Sequence, residues 1–215
     1  MTRIKICGLT RREDLLAAAD LGVYAVGTIL VPESPRYVSL EKAREILRGL
    51  PAEISTVGVL RNPTPDFLGE VLESRLFSAL QFHGEEPPEM LRAMPCVAFK
   101  ALGIAGGEDL HKARLYEDAA DILLLDSRRG SQSGGTGKAF NWDLLRGFSS
   151  PLPILLAGGL QRENIHQALE QVNPWGVDLN SGVESAPGIK DSKKMRDLVA
   201  AVREYDVQKE NAASS

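Results

Sequence analysis

A chain of 215 residues with 43% hydrophobic content can bury one sizeable core, and α/β barrels of this length run as a single domain. The net charge of −4 gives no basic footprint and argues against a nucleic-acid partner. Two cysteines, Cys7 and Cys96, form no disulfide framework and fit a reducing cytoplasmic compartment, and no apolar run approaches the ~18 residues of a membrane span.

The first residues, Met1-Thr2-Arg3-Ile4-Lys5, lack a long apolar run, so no signal peptide is expected. Read in order, Arg3–Cys7 is a short strand and Arg11–Leu21 a helix with Thr10 as its expected N-cap. Tyr24–Leu30 is a second strand, and Ser39 is placed to cap a helix over Leu40–Leu50. Ile54–Leu60 is a third strand, followed by a helix through Phe67–Ser74 that Thr64-Pro65 introduces. Ala79–Phe82 is a strand ending at His83-Gly84, and Glu89–Met94 lies in a helix begun near Pro87-Pro88.

Four more units follow. Val97–Leu102 precedes a helix over Leu110–Tyr116, and the apolar run Asp121–Leu125 precedes a helix over Trp142–Arg146. Leu152–Ala157 ends in Gly158-Gly159 before a helix over Glu163–Gln171. Trp175–Leu179 precedes the last helix, Asp191–Tyr205, with apolar Met195, Leu198 and Val199 on one face. Residues 206–215 are polar and small, a disordered tail beyond a domain of residues 1–205. Eight alternating units of about 27 residues imply parallel crossovers and a closed, single-domain (β/α)8 TIM barrel. An open doubly wound sheet is the alternative, but Cys7-Gly8-Leu9-Thr10 after the first strand is no dinucleotide fingerprint.

A barrel carries its chemistry at the carboxyl ends of its strands. Asp126 surfaces there, ahead of a loop rich in glycine and hydroxyl residues that runs to Gly137. It reads either as a polar strand-end residue before a mobile connector or as a catalytic acid under a flexible lid. Cys7 ends the first strand; a buried small hydrophobe is one reading, a thiol base the other, and a nearby cation would raise its thiolate fraction. Cys96 starts a strand at the opposite rim and reads as core. Gly158-Gly159 and Ser181-Gly182 follow the seventh and eighth strands, where this fold often binds phosphate through backbone N–H groups. Arg36 can meet a carboxylate, and Asp178 and His83 stand at strand ends as candidate substrate contacts. His111 and His166 read as surface residues, and the three scattered histidines suggest no metal site. Together these residues describe a barrel enzyme for a small phosphorylated substrate, with a thiol and a carboxyl suited to proton transfer.

Six ordered motifs carry a resemblance. They are Lys5-Ile6-Cys7-Gly8-Leu9-Thr10, Ser34-Pro35-Arg36, Leu80-Gln81-Phe82-His83-Gly84, Gly134-Gly135-Thr136-Gly137, Leu156-Ala157-Gly158-Gly159-Leu160 and Asp178-Leu179-Asn180-Ser181-Gly182-Val183-Glu184. From about Ile4 to Arg203 the chain closely resembles the phosphoribosylanthranilate isomerases of tryptophan biosynthesis. The resemblance implies a cofactor-free barrel, a monomer or homodimer, that converts N-(5-phosphoribosyl)anthranilate to 1-(2-carboxyphenylamino)-1-deoxyribulose 5-phosphate by an Amadori rearrangement. It implies Cys7 as base, Asp126 as acid, Arg36 on the anthranilate carboxylate, Asp178 as a substrate contact, and phosphate on the backbone around Gly158, Gly159, Ser181 and Gly182.

Three segments depart from the family pattern. Gly27-Thr28-Ile29-Leu30 stands for Gly-Phe-Ile-Phe, Gly58-Val59-Leu60 for Gly-Val-Phe, and Phe140-Asn141-Trp142 for Phe-Asp-Trp. The first two are expected to trim aromatic bulk near the mouth, where the anthranilate ring packs; the third touches a helix cap. Competing readings are the histidine-pathway aminoaldose isomerase, whose first strand ends in aspartate rather than Cys7, a metal-dependent pentose-phosphate epimerase, and a non-catalytic phosphate-ligand binder.

Overall fold

Each strand turns one face to the barrel interior and the other to the helices, and the residues sort accordingly. The computed structural model describes residues 1–126, 142–145 and 147–213. The glycine-rich loop read as a lid lies outside the described residues, as does Arg146 at the end of the expected sixth helix. Eight parallel strands close a barrel in sequence order: β1 (Arg3–Ile6), β2 (Ala25–Ile29), β3 (Ser55–Leu60), β4 (Ala79–Phe82), β5 (Val97–Gly103), β6 (Ile122–Asp126), β7 (Ile154–Ala157) and β8 (Gly176–Leu179). β8 pairs back to β1, with Lys5 opposite Asp178. The expected barrel is therefore the observed one.

Inside the barrel, Ala25, Val57, Phe99, Leu124 and Leu155 form an apolar plug. Below it Tyr24 meets Trp175 edge to face at 5.2 Å, with the Arg3 guanidinium 4.5 Å from the Trp175 ring. Outside, residues of opposite parity such as Ile4, Ile6, Leu123, Leu156 and Val177 pack against the helices. These are α1 (Arg12–Asp20), α2 (Leu40–Leu47), α3 (Pro65–Glu73), α4 (Pro88–Arg92), α5 (Gly107–Ala113), α6 (Ile165–Val172) and α7 (Ser192–Ala213). No described helix is long and apolar enough to cross a membrane.

Caps fix two helix starts as expected. Ser39 accepts from the Lys42 N–H at 3.1 Å, and Thr64 accepts from the Phe67 N–H at 3.2 Å, with Pro65 in the first turn. Thr10 differs. α1 begins after Arg11, and the Thr10 hydroxyl donates instead to the Gly188 carbonyl at 2.5 Å. After β6 the residues Trp142–Leu145 form a 3-10 turn in place of an α-helix. α7 continues past the expected end at Tyr205 to Ala213, through most of the stretch read as a tail.

A short hairpin, β9 (Glu184–Ala186) and β10 (Ile189–Lys190), was not expected. Pro187-Gly188 turns it, with Gly188 at φ +80°. Asp14 of α1 accepts from the Lys190 N–H at 3.0 Å and the Arg11 guanidinium at 2.6 and 2.9 Å, which staples the hairpin over the first helix.

A second buried device holds the loop after β4. Lys100 Nζ, on the outer face of β5, donates to Glu86 Oε2 at 2.7 Å and the Gly84 carbonyl at 2.6 Å. Glu86 also accepts from the Asn62 and Gly84 N–H groups, and the Tyr116 hydroxyl donates to the Glu86 carbonyl at 2.8 Å. Burial pushes the Glu86 carboxyl up, but the Lys100 and backbone hydrogen bonds outweigh it and hold the group below its ordinary value. Its stabilising share is therefore present above the ordinary carboxyl value and lost as pH falls through the depressed one. Lys100→Met strands a buried carboxylate and is expected to lower unfolding stability by about 3 kcal/mol. Lys100→Met with Glu86→Gln should recover part of that loss and show a weaker fall in the urea midpoint on acidification. Equal losses in the single and double variants would contradict the ion-pair account.

Candidate active site

At the carboxyl ends of the strands lies a cavity of about 200 Å³. Cys7, Arg36, His83, Asp126, Gly158, Gly159, Asp178, Ser181 and Gly182 all line it, so every site residue proposed from the sequence meets in one place. Gln81 and Asn180 join them, with Ile29 and Val59 as the aliphatic wall.

Cys7 immediately follows β1 and is 3% exposed. Its N–H donates to the Leu179 carbonyl at 2.9 Å, which anchors it to β8. Gly8 has φ +72°, and a Cβ there would lie 2.7 Å from both Arg36 Cδ and Asn180 Oδ1, so glycine alone fits. Two residues before Cys7, on the same strand face, Lys5 is wholly buried and donates to Asp178 Oδ1 at 2.9 Å. Burial pushes the Cys7 thiol above its ordinary value, opposed by the Lys5 and Lys190 cations and reinforced by Asp178. Burial also raises the Asp178 carboxyl, with Lys5 pulling the other way. Lys5 itself titrates above its ordinary value: burial disfavours the ammonium, but Asp178 and Cys7 outweigh it.

Asp126 ends β6 and is 8% exposed. Its carbonyl accepts from the Ile104 N–H at 2.8 Å. His83 Nε2 stands 3.9 Å from Asp126 Oδ2, while Gln81 Nε2 lies 3.2 Å from His83 Nδ1. With Gln81 as donor, the proton of a neutral imidazole sits on Nε2, facing Asp126. Burial lowers the His83 value more than Asp126 and Asp178 raise it, so the ring favours that neutral form.

Arg36 is held along one edge. Its Nε and Nη2 donate to the two Glu184 oxygens at 2.8 and 2.6 Å, a bidentate pair. Glu184 also accepts from Lys190 Nζ at 2.9 Å, and Lys190 donates on to Asn180 Oδ1 at 3.0 Å. Burial alone would raise the Glu184 carboxyl; Arg36 and Lys190 together hold it below its ordinary value. The Glu184 pair engages Nε and Nη2 of Arg36, and the side chain lines the cavity. Across the mouth, Gly158 and Gly159 take φ of +90° and +65°, and a Cβ at Gly182 would stand 2.0 Å from the Leu160 carbonyl oxygen. Both turns therefore require glycine and bring backbone against the cavity.

Several expectations need correction. Thr28, Leu30 and Leu60, where aromatics were expected, are buried but line no part of the cavity; Leu30 and Leu60 pack in the layer between sheet and helices. The strand pleat turns them away, so the trimmed bulk lies behind the sheet. His166 is half-buried rather than a surface residue, with Nε2 2.9 Å from the Ala201 carbonyl, tying α6 to α7. Cys96 packs against the core and His111 is exposed, as expected. The sequence reading missed Lys5, Gln81, Glu184 and Lys190. A lysine between Ile4 and Ile6, in phase with Cys7, was the available signal for Lys5; nothing local marked the Glu184 and Lys190 pairing.

The chain matches the family model for N-(5'-phosphoribosyl)anthranilate (PRA) isomerase across residues 4–201. It is 46% identical over 206 residues to the N-(5'-phosphoribosyl)anthranilate isomerase of Syntrophus aciditrophicus (strain SB), covering 95% of this chain and 89% of that protein. A crystal structure of phosphoribosyl anthranilate isomerase from Thermotoga maritima superposes with a TM-score of 0.88 at 37% identity, over 94% of this chain and 99% of that one. A structure of such an isomerase in complex with reduced 1-(o-carboxyphenylamino)-1-deoxyribulose 5-phosphate gives 0.82 at 35% identity, over the same shares. With the model matched along most of its length and the barrel shared, the chain belongs to the N-(5'-phosphoribosyl)anthranilate isomerase family.

Proposed function

We propose that this enzyme converts N-(5'-phosphoribosyl)anthranilate to 1-(2-carboxyphenylamino)-1-deoxyribulose 5-phosphate in tryptophan biosynthesis, with Cys7 as general base and Asp126 as general acid. The reading rests most on one observation: a thiol and a carboxyl from strands three apart line one cavity, between Arg36 and two glycine turns. On this reading the phosphate takes the Gly158-Gly159 and Ser181-Gly182 backbone, and the anthranilate carboxylate takes the outer edge of Arg36. Asp178 and His83 contact the sugar between them. The enzyme works in the cytoplasm without a cofactor, as a monomer or homodimer.

The chemistry then runs in three moves. Asp126, protonated, donates to the ribose ring oxygen while the aniline nitrogen pushes its lone pair, and the ring opens to an iminium. Cys7, as thiolate, removes the C2 proton that the iminium has made acidic. The enolamine formed takes a proton at C1 and loses the C2 hydroxyl proton, giving the ketone. The turnover leaves Cys7 with one proton too many and Asp126 with one too few, so a final transfer resets the pair. Each group is suited to a contribution of ~10²–10⁴-fold.

Incubation of the purified protein with freshly made substrate under chelator is expected to consume the anthranilate fluorescence of the substrate, with the carboxyphenylamino product found by mass spectrometry. Turnover of the histidine-pathway aminoaldose in its place would move the chain to that reaction, and binding without turnover would leave a phosphate-ligand binder. Asp126→Asn and Cys7→Ala are each expected to lower kcat by about 10²-fold or more with the fold intact. A variant within about twofold of the parent would remove that residue from the mechanism. Arg36→Lys loses the planar fork, and a rise in KM of about tenfold is expected in steady-state assays.

A further inference from the structure

Cys7 sits in a hollow that ought to suppress its reactive form. It is buried, and a carboxylate is close by. Lys5 is the first group that opposes this. Its Nζ is 2.9 Å from Asp178 Oδ1, with no solvent exposure. Gly27, on the adjacent strand β2, shows where the sulfur lies. A Cβ built there would be 3.0 Å from Cys7 Sγ and 3.3 Å from Lys5 Nζ. The sulfur and the ammonium thus flank the same point, and any larger residue at 27 would drive between them.

Resting on the reading of Cys7 as base, we propose that Lys5 is its positioning residue: a permanently protonated ammonium inside the barrel, shared between the Asp178 carboxylate and the Cys7 sulfur, that holds the thiolate in place. Lys5 keeps its proton throughout; the proton taken from substrate stays on sulfur. Four charged groups act on Cys7: Lys5 from β1, Asp178 from β8, Lys190 from β10, and Arg36 from the segment after β2. Lys190 and Arg36 are both bound to Glu184, whereas Lys5, bound to Asp178, is the cation that also flanks the sulfur beside Gly27. Asp126 and His83 act on Asp178 from the far side. The signs are therefore opposite for the two members of the buried pair. Removing Lys5 disfavours the thiolate; removing the Asp178 charge frees Lys5 for sulfur and favours it.

The test reads the thiol directly, in full-length protein carrying Cys96→Ser, so that Cys7 is the sole cysteine. The rate of Cys7 carbamidomethylation by iodoacetamide is followed against pH by mass spectrometry. Lys5→Met should move the midpoint up by about one pH unit, a tenfold drop in thiolate at a fixed lower pH, and Asp178→Asn should move it down. Lys5→Arg should restore most of the parent midpoint. Midpoints in Lys5→Met and Asp178→Asn that coincide with the parent would overturn the proposal. Should Lys5→Met fail to fold by circular dichroism, Asp178→Asn decides alone: a downward shift supports the assignment, and none or an upward one sinks it. Because the readout is alkylation of the resting enzyme, it stands apart from catalysis. If Cys7→Ala retained full turnover, Cys7 would cease to be the base, yet the midpoints would still report whether Lys5 governs its charge.

Discussion

The Lys5–Asp178 ion pair sits at the seam where the barrel closes. β1 and β8 are the first and last strands of the ring, and these two residues face each other across their register. Burying two charges costs several kcal/mol per ion, so their attraction offsets desolvation only in good geometry. A seam held by apolar side chains alone could close the sheet as well. The pair does something those side chains cannot: it places a fixed cation and a fixed anion under the mouth. Two groups at the mouth lie on its two sides. Cys7 lies on the cation side, and Asp178 reaches toward the His83 and Asp126 side.

Polarity inside the barrel therefore rises along its axis. Tyr24 and Trp175 close the bottom, Val57, Phe99 and Leu124 fill the middle, and Lys5, Gln81, Asp126 and Asp178 line the top. The strand pleat allows this without disturbing the outer face, because each inward polar residue has outward apolar neighbours. Ile4 and Ile6 beside Lys5 show it most directly. A second buried pair, Lys100–Glu86, points outward and shapes the loop that follows His83. Two buried lysines thus serve different ends from opposite faces of the sheet.

The same pleat explains what could be read from sequence and what could not. The alternation of strand and helix was legible, since apolar runs and the caps at Ser39 and Thr64 are local signals. Strand ends were legible too, and so was the group of residues that meets at the mouth. Facing was harder. Leu30 and Leu60 were placed at the mouth from their position along the chain, but a one-residue shift in phase sends a side chain behind the sheet. The pairing of Arg36 with Glu184 spans 148 residues, and no spacing rule links them. Thr10 has the composition of a cap, but a tertiary contact with Gly188 claimed its hydroxyl. The hairpin at Glu184–Lys190 carried a Pro-Gly turn signal, yet its strands are too short for periodicity to reveal.

Charge balance at the mouth gives the arrangement its logic. Lys5, Arg36 and Lys190 are paired with the Asp178 and Glu184 carboxylates, and on the proposed reading, with Asp126 holding its proton, the Cys7 thiolate is the third negative charge. Side-chain charge alone thus offers little net attraction to a substrate bearing a phosphate and a carboxylate. On the proposed reading, backbone dipoles at the glycine turns and the outer edge of Arg36 supply it. On that reading the arriving anion acts on the proposed acid and base in opposite senses. A negative neighbour favours a carboxyl that keeps its proton, which suits a general acid, but it also disfavours a thiolate. A base in this site needs a cation that neither water nor substrate can reach. Lys5, with no exposed surface and at the foot of the cavity, meets that requirement. Arg36 does not, because on the proposed reading its outer edge is taken up by the substrate itself.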